Sequence, residues 1–407
     1  LRLSLPVRQS DTTSQPELAF QISNFKQDSL MASETCDVIV IGCGGFGSSA
    51  MYHLTRRGRR VIGIDRFAPP HNQGSSHGET RLIRKAYFEH PNYVPLLHRA
   101  WVLWEELADE FDETLIVQRD LMMSGPPGSV VIEGARESAR LHHLPLENLT
   151  HEAVTKRYPM FRLPDDHSAT VEPTAGFLWS ERCVAAHLEL AYAWGAELKS
   201  GETVLSVNSS GSGVEVRTDR ATYSAASAIM TCGAWTSQLL PTYSRYISVL
   251  RKTMFWYPVN SPEWTKKNGA PMFLLDLPEG QFYAPGCVDG KTIKIGLHSG
   301  GELVADPSYL VREIQPDDEP ATNRFVTDRL IGIESTACQS TVCMYSMSPD
   351  GHFLLDRLHD LPLVVAAGFS GHGFKFTSAL GEVAADLAEH GRTHLNVDFL
   401  SASRLKM

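Results

Sequence analysis

The stretch from Asp37 to Asp65 constrains this chain more than any other. Val38-Ile39-Val40-Ile41 is apolar throughout, as a parallel strand buried on both faces should be. The turn Gly42-Cys43-Gly44-Gly45-Phe46-Gly47 follows, and then a helical stripe of Ala50, Met51 and Leu54, stopped by Gly58. A second strand, Val61 to Ile64, ends at Asp65, so the whole reads as one βαβ unit. The first glycine permits the tight turn, the second lets backbone approach a pyrophosphate, and the third lets helix and strand pack closely. The helix N-terminus supplies N–H donors and the positive end of its dipole. Asp65 stands where a carboxylate can accept hydrogen bonds from a ribose diol. The unit therefore binds a dinucleotide. The turn by itself fits FAD or NAD, and an NAD-dependent dehydrogenase stays open on this motif alone.

At 407 residues the chain has room for two or three structural units. Its net charge of −10 excludes a general affinity for nucleic acid or anionic membrane, so any cationic site must be local. The cysteines at 36, 43, 183, 232, 287, 338 and 343 are odd in number and form no CxxC pair. That argues against a disulfide framework or a zinc site and for a reducing, cytoplasmic setting. No apolar run approaches the roughly 18 residues of a membrane span. Residues 1–30 are polar and carry no secretory pattern, so they read as a disordered extension, with Met31 as the true start.

Further along, Trp101, Trp104, Leu107 and Phe111 predict an amphipathic helix over 98–112, and another is expected over 183–195. Short strands are expected at Val204–Val207, Val214–Val216, Thr222–Ser224 and Ala228–Thr231, with a hairpin turn at Ser209–Gly213. Residues 245–340 read as a separate, more antiparallel region. From 363 the α/β pattern returns as a strand, a glycine loop over 368–375 and a helix over 378–390 ended by Gly391. The two ends of the chain are expected to share one sheet.

Ala228-Ile229-Met230-Thr231-Cys232-Gly233-Ala234-Trp235 resembles the second fingerprint of FAD-dependent amine oxidases. Three further segments resemble one family, that of monomeric sarcosine oxidase and N-methyltryptophan oxidase. They are Gly74-Ser75-Ser76-His77-Gly78-Glu79-Thr80-Arg81-Leu82-Ile83-Arg84, Cys343-Met344-Tyr345 followed by Pro349-Asp350, and Gly368-Phe369-Ser370-Gly371-His372-Gly373-Phe374-Lys375-Phe376. The resemblance spans about 36 to 405.

The resemblance implies an α/β fold: an FAD-binding Rossmann-like domain of the p-hydroxybenzoate-hydroxylase type with a second, mixed-sheet α+β catalytic domain. It divides the chain into a discontinuous FAD-binding domain (31–115, 178–245 and 340–407) and a catalytic domain (116–177 and 246–339). It implies FAD bonded through the sulfur of Cys343, with Cys338 the competing thiol. It sets Arg84 and Lys375 on the substrate carboxylate, where a bidentate fork and a point charge suit that group. His77 and Arg81 flank the flavin, and Lys294 promotes oxygen reduction. His298, Tyr345 and Tyr283 line the amine pocket. Phe282-Tyr283-Ala284-Pro285 departs from the family's double tyrosine, which leaves the pocket wall open. Arg66, Ser75, Ser76, Val204, Cys232, Gly233, Trp235, Met344, Gly371, His372, Gly373 and Phe374 join the glycine turn as cofactor contacts. His372 reads as a packing or backbone-contact residue of that loop and not as a base.

The implied reaction oxidises an N-methyl amino acid with oxygen, giving the primary amino acid, formaldehyde and hydrogen peroxide, in a monomer. Leu250–Tyr257 and Gly296–Gly301 look more like N-methyltryptophan oxidase than sarcosine oxidase. L-pipecolate and fructosyl-amino-acid oxidation are the rival chemistries.

Overall fold

The computed structural model describes residues 33–405; the extension expected over 1–30 lies outside them. Strand Ser33–Ile41 runs parallel to Val61–Asp65 on one side and to Thr222–Met230 on the other. Thr222–Met230 pairs in parallel with Leu363–Ala367, so the two ends of the chain share one eight-stranded sheet. The two short strands expected at 222–224 and 228–231 are one strand. Ala225, Ala226 and Ser227 are small, and the pairing of Cys36 with Ala225 and Val38 with Ser227 carries the ladder through them. The hairpin Val204–Ser210 and Gly213–Thr218 adds antiparallel strands at the edge.

Helices Gly45–Arg56, Val94–Phe111, Ser180–Ala193 and Thr377–His390 contribute to one core over this sheet, with Leu54, Trp104, Cys183 and Val383 at its centre. The helix expected from residue 98 starts at Val94, because Pro95 fits the first turn, where its missing N–H costs nothing. The last helix ends at Gly391 in the left-handed conformation (φ 69°), as its sequence suggests.

The second sheet has nine strands and is mixed. Its spine is the eleven-residue strand Ser248–Pro258. Thr292–Leu297 pairs with that spine, Gly280–Ala284 follows, and then Met272–Leu277, which runs parallel to Leu121–Gly125. Phe282 and Phe325 stack at 4.1 Å within its core. The strand Gln339–Met347 corrects an expectation. It was assigned with the closing α/β segment, yet all nine residues pair with Ser248–Trp256. That partner takes the N–H and C=O groups on one side of the strand, while on the other side the Met344 and Ser346 carbonyls accept from Ser75 Oγ and the Ser370 N–H. Cys343 therefore belongs to the second sheet. No helix among the described residues is long and apolar enough to cross a membrane.

Candidate active site

A cavity of about 440 Å³ opens where strands Ser33–Ile41, Val61–Asp65 and Thr222–Met230 end, and it runs from there to the second sheet. A crevice at the carboxyl ends of parallel strands is where α/β folds bind ligands.

At the strand ends the residues fit a dinucleotide. Gly42 has φ +85°, and a Cβ there would lie 2.7 Å from the Thr231 carbonyl. A Cβ on Gly47 would lie 1.9 Å from the Gly42 carbonyl, so this third glycine serves packing and does not itself line the cavity. Gly44, Gly45 and Phe46 do line it. The helix that starts there has no side-chain cap and no acid in its first turn, which leaves its dipole free for an anion. Asp65 is buried, accepts from the N–H of Cys43 (2.7 Å) and Phe67 (2.8 Å), and faces the cavity. Arg66, Val204, Cys232, Gly233 and Trp235 complete this end.

The segment 74–84 ties the two sheets together. Ser76 Oγ accepts from the Gly45 N–H at 3.1 Å, and Ser75 Oγ donates to the Met344 carbonyl at 2.7 Å. Glu79 holds a left-handed φ of 72°, a costly conformation for a side chain with a Cβ. Glu181 pins it by accepting the N–H groups of Gly78 and Glu79. Arg81 lines the cavity and donates to the carbonyls of His77, Ser75 and Thr80. His77 lies behind the wall, buried, and its Nε2 has no hydrogen-bond partner among the described residues. Burial, with Arg81 adding, pushes its imidazole down to about 4. Lys294 also sits behind the cavity lining, with Nζ donating to the carbonyls of Gly78 and Thr80. Cys343 faces the cavity next to Met344, whereas Cys338 is exposed and away from it. Burial raises the Cys343 thiol, opposed by Arg81, Lys294 and Arg312.

The far wall collects charge. Arg84 is 3% exposed, and its Nη2 donates to both Glu89 oxygens at 2.8 Å. Its guanidinium lies 4.2 Å from the ring centroids of both Tyr87 and Phe88. Lys375 lies over the same Tyr87 ring, and its ammonium donates to the His372 carbonyl at 2.6 Å, not to a carboxylate. Burial and the neighbouring Arg84 lower Lys375 to about 7. Burial would raise Glu89, but Arg84, His372 and Lys375 hold it at about 2.

Beside them, His298 Nδ1 meets Tyr345 Oη at 3.4 Å, and Tyr283 shares this wall. Burial lowers His298 to about 4, so it is neutral near pH 7. Gly371 permits the arrangement, because a Cβ there would lie 2.3 Å from the Tyr345 ring. His372 makes two contacts: Nε2 meets the Gly351 carbonyl at 3.0 Å and Nδ1 meets Tyr87 Oη at 2.5 Å. Gly373 and Phe374 line the cavity beside it.

Sequence reasoning missed Glu89, Tyr87, Phe88 and Lys252, all at or behind this wall. For Glu89 the available signal was weak: an acid in the aromatic run Tyr87-Phe88-Glu89, five residues from Arg84 and off any helix. Lys252 left a clearer one. Two adjacent cations in an otherwise apolar strand must point to opposite faces, so one of them points inward.

Three comparisons bear on this arrangement. A family model described as FAD dependent oxidoreductase matches residues 37–387. Monomeric sarcosine oxidase of Bacillus sp. (strain B-0618) is 35% identical over 375 residues, covering 90% of this chain and 96% of that one. N-methyl-L-tryptophan oxidase of Yersinia pestis (strain Pestoides F) is 34% identical over 376 residues, covering 91% and 99%. Among solved structures, the open form of NikD, an unusual amino acid oxidase essential for nikkomycin biosynthesis, superposes with a TM-score of 0.80 at 26% identity, covering 90% of this chain and 97% of that one.

Proposed function

Because the chain belongs to the FAD dependent oxidoreductase family, together with monomeric sarcosine oxidase and N-methyl-L-tryptophan oxidase, we propose that it oxidises the C–N bond of an N-methyl amino acid with oxygen. The observation that carries this reading is the far wall, where two buried cations, Arg84 and Lys375, stand over one tyrosine ring beside a neutral histidine and two tyrosines. Arg84 is already compensated by Glu89, whereas the hydrogen bond of Lys375 goes to a carbonyl. A substrate carboxylate would give Lys375 the anion its burial lacks and would compete with Glu89 for the Arg84 fork.

FAD at the glycine turn supplies the chemistry, accepting a hydride equivalent from the substrate and passing electrons to oxygen. Gly42, Gly44, Gly45 and Asp65 would hold its dinucleotide end, and Cys343 would bond its ring. Arg81 and Lys294 would sit as cations near the ring, Lys294 assisting oxygen. Arg84 and Lys375 hold the carboxylate. Tyr283, Tyr345 and His298 bound the amine; the ammonium leaves its proton in bulk water and reacts as the neutral amine, beside which a neutral His298 adds no charge. The C–N bond loses two electrons and two protons, oxygen becomes hydrogen peroxide, and water splits the imine into the primary amino acid and formaldehyde. The enzyme acts as a cytoplasmic monomer.

The test is a panel of sarcosine, N-methyl-L-tryptophan, L-pipecolate and fructosyl amino acids, with peroxide as readout. Peroxide from an N-methyl amino acid supports the reading. Peroxide from only a cyclic or glycated amine overturns the substrate class. For the covalent bond, wild-type protein should carry its yellow colour into an acid precipitate, and Cys343→Ser should release it to the supernatant. Colour retained by Cys343→Ser would move the anchor elsewhere.

Lys375 sets a pH dependence. With its ordinary value of 10.5 lowered to about 7, the ammonium loses its proton as pH rises past 7. The dissociation constant of a plain carboxylate, which carries no amine to titrate, should therefore rise by up to about tenfold between pH 6 and 8, as the protonated fraction falls. Its flavin absorbance change measures this, and Lys375→Arg should flatten the curve. Stability runs the other way. The folded chain binds fewer protons than the unfolded one between about 7 and 10.5, so this group adds stability as pH rises through that window.

A further inference from the structure

The two stretches whose sequence leans toward N-methyltryptophan oxidase, Leu250–Tyr257 and Gly296–Gly301, are joined by one side chain. Arg251 and Lys252 leave opposite faces of their strand. Arg251, equally buried, turns away from the cavity to Asp318 and to the carbonyls of Val311 and Glu313. Lys252 turns to the cavity wall, 6% exposed, and its Nζ donates to three successive carbonyls: His298 at 3.1 Å, Ser299 at 2.8 Å and Gly300 at 3.0 Å. Three acceptors use all three protons of an ammonium; a neutral amine has only two.

Consecutive carbonyls converge in this way because Gly300 and Gly301 have φ of +63° and +125°. At Gly301 a Cβ would lie 3.0 Å from Lys252 Cδ and 3.1 Å from the Arg251 carbonyl. The groups facing the ammonium are Cys343, its cross-strand partner, and Tyr345, whose ring centroid lies 5.3 Å away. The loop it gathers begins at His298, which meets Tyr345.

We propose that Lys252 is a positioning residue that sets substrate size: by clamping the His298–Gly300 carbonyls it fixes how far His298 stands into the amine end of the cavity. Lys252 acts through the backbone of the loop. Released from the clamp, the loop lets His298 withdraw, and the pocket lengthens toward amino acids with large side chains. The proposal rests on the amine-oxidase reading and names the selectivity of that same site.

The test uses yellow holoprotein of wild type, Lys252→Met and Lys252→Gln. Gln keeps a donor and guards against a Met variant that does not fold. Two readouts are taken: amide hydrogen exchange over 297–302, and dissociation constants for acetate and indole-3-acetate from the flavin absorbance. In Lys252→Met, the loop amides should exchange at least tenfold faster, and the ratio of the two dissociation constants should shift about tenfold in favour of the indole. Lys252→Gln should fall between. Unchanged exchange overturns the clamp. Faster exchange with a ratio within twofold of wild type overturns the role in selectivity. These readouts need no turnover. If wild type makes no peroxide from any secondary amino acid, the function falls while the clamp is still decided.

Discussion

Replacing Lys294 with Met should slow reoxidation by oxygen about 100- to 1000-fold, a range typical of removing one preorganised charge-stabilising donor, while reduction by substrate loses far less. The strand Thr292–Leu297 alternates lysine with apolar residues, which usually marks a solvent-facing side chain. Here residues 293–296 are all buried, and Lys294 is 2% exposed. Its ammonium donates to the carbonyls of Gly78 and Thr80, which leaves one of three protons without those partners. Burial, with Arg81 adding, drives its proton affinity far below that of a free lysine, while Glu79 and Glu181 oppose the shift. Electron transfer to oxygen creates negative charge, which favours the protonated lysine that burial disfavours, and a cation in a dry site stabilises that charge more than water does. Stopped-flow absorbance separates the two half-reactions. An unchanged oxygen step would remove Lys294 from it.

Arg84→Met should destabilise the fold by about 3–5 kcal/mol, the usual cost of leaving a buried charge unpaired. Glu89 would lose the Arg84 charge, the main influence that holds it at about 2 against burial, together with both hydrogen bonds. The pH dependence changes with it. In the wild type the depressed carboxyl contributes stability that is present above its ordinary 4.5 and lost as pH falls toward 2. In Arg84→Met, burial of Glu89 goes unopposed by its main partner, so acid should stabilise the variant by protonating it. Melting curves from pH 3 to 8 decide this. The double variant Arg84→Met with Glu89→Gln should recover most of the loss. A single variant that melts like wild type would show that the pair contributes little.

The dinucleotide end was legible in sequence because its chemistry and its fold coincide within one continuous unit. A tight turn, a helix start and an acid at the next strand end leave their marks in neighbouring residues. The loop 368–375 was legible as a site, but the reason for Gly371 was not, since it lies in the ring of Tyr345 on another sheet. Ser33-Glu34-Thr35 is polar, yet these residues form strand because Thr222-Tyr223-Ser224 pairs with them. The sheet that Gln339–Met347 joins was hidden for a related reason. Strand membership depends on the partner, and its partner lies about ninety residues earlier. Glu89 was hidden because a single acid carries no spacing signal, and the Arg251-Lys252 pair signals an inward cation without saying which of the two it is; only the assembled wall shows which charges meet.

The first sheet cannot be completed in the order of synthesis. Its opening strand, Ser33–Ile41, waits for Thr222–Met230, which in turn waits for Leu363–Ala367. Nearly the whole polypeptide must leave the ribosome before that edge is paired, and such distant pairings form slowly. Until then the emerging chain exposes the apolar faces of Val38–Ile41 and Val61–Ile64, which makes newly made protein a natural client for chaperones. A truncation just before residue 363 should therefore yield aggregate and not a smaller active enzyme.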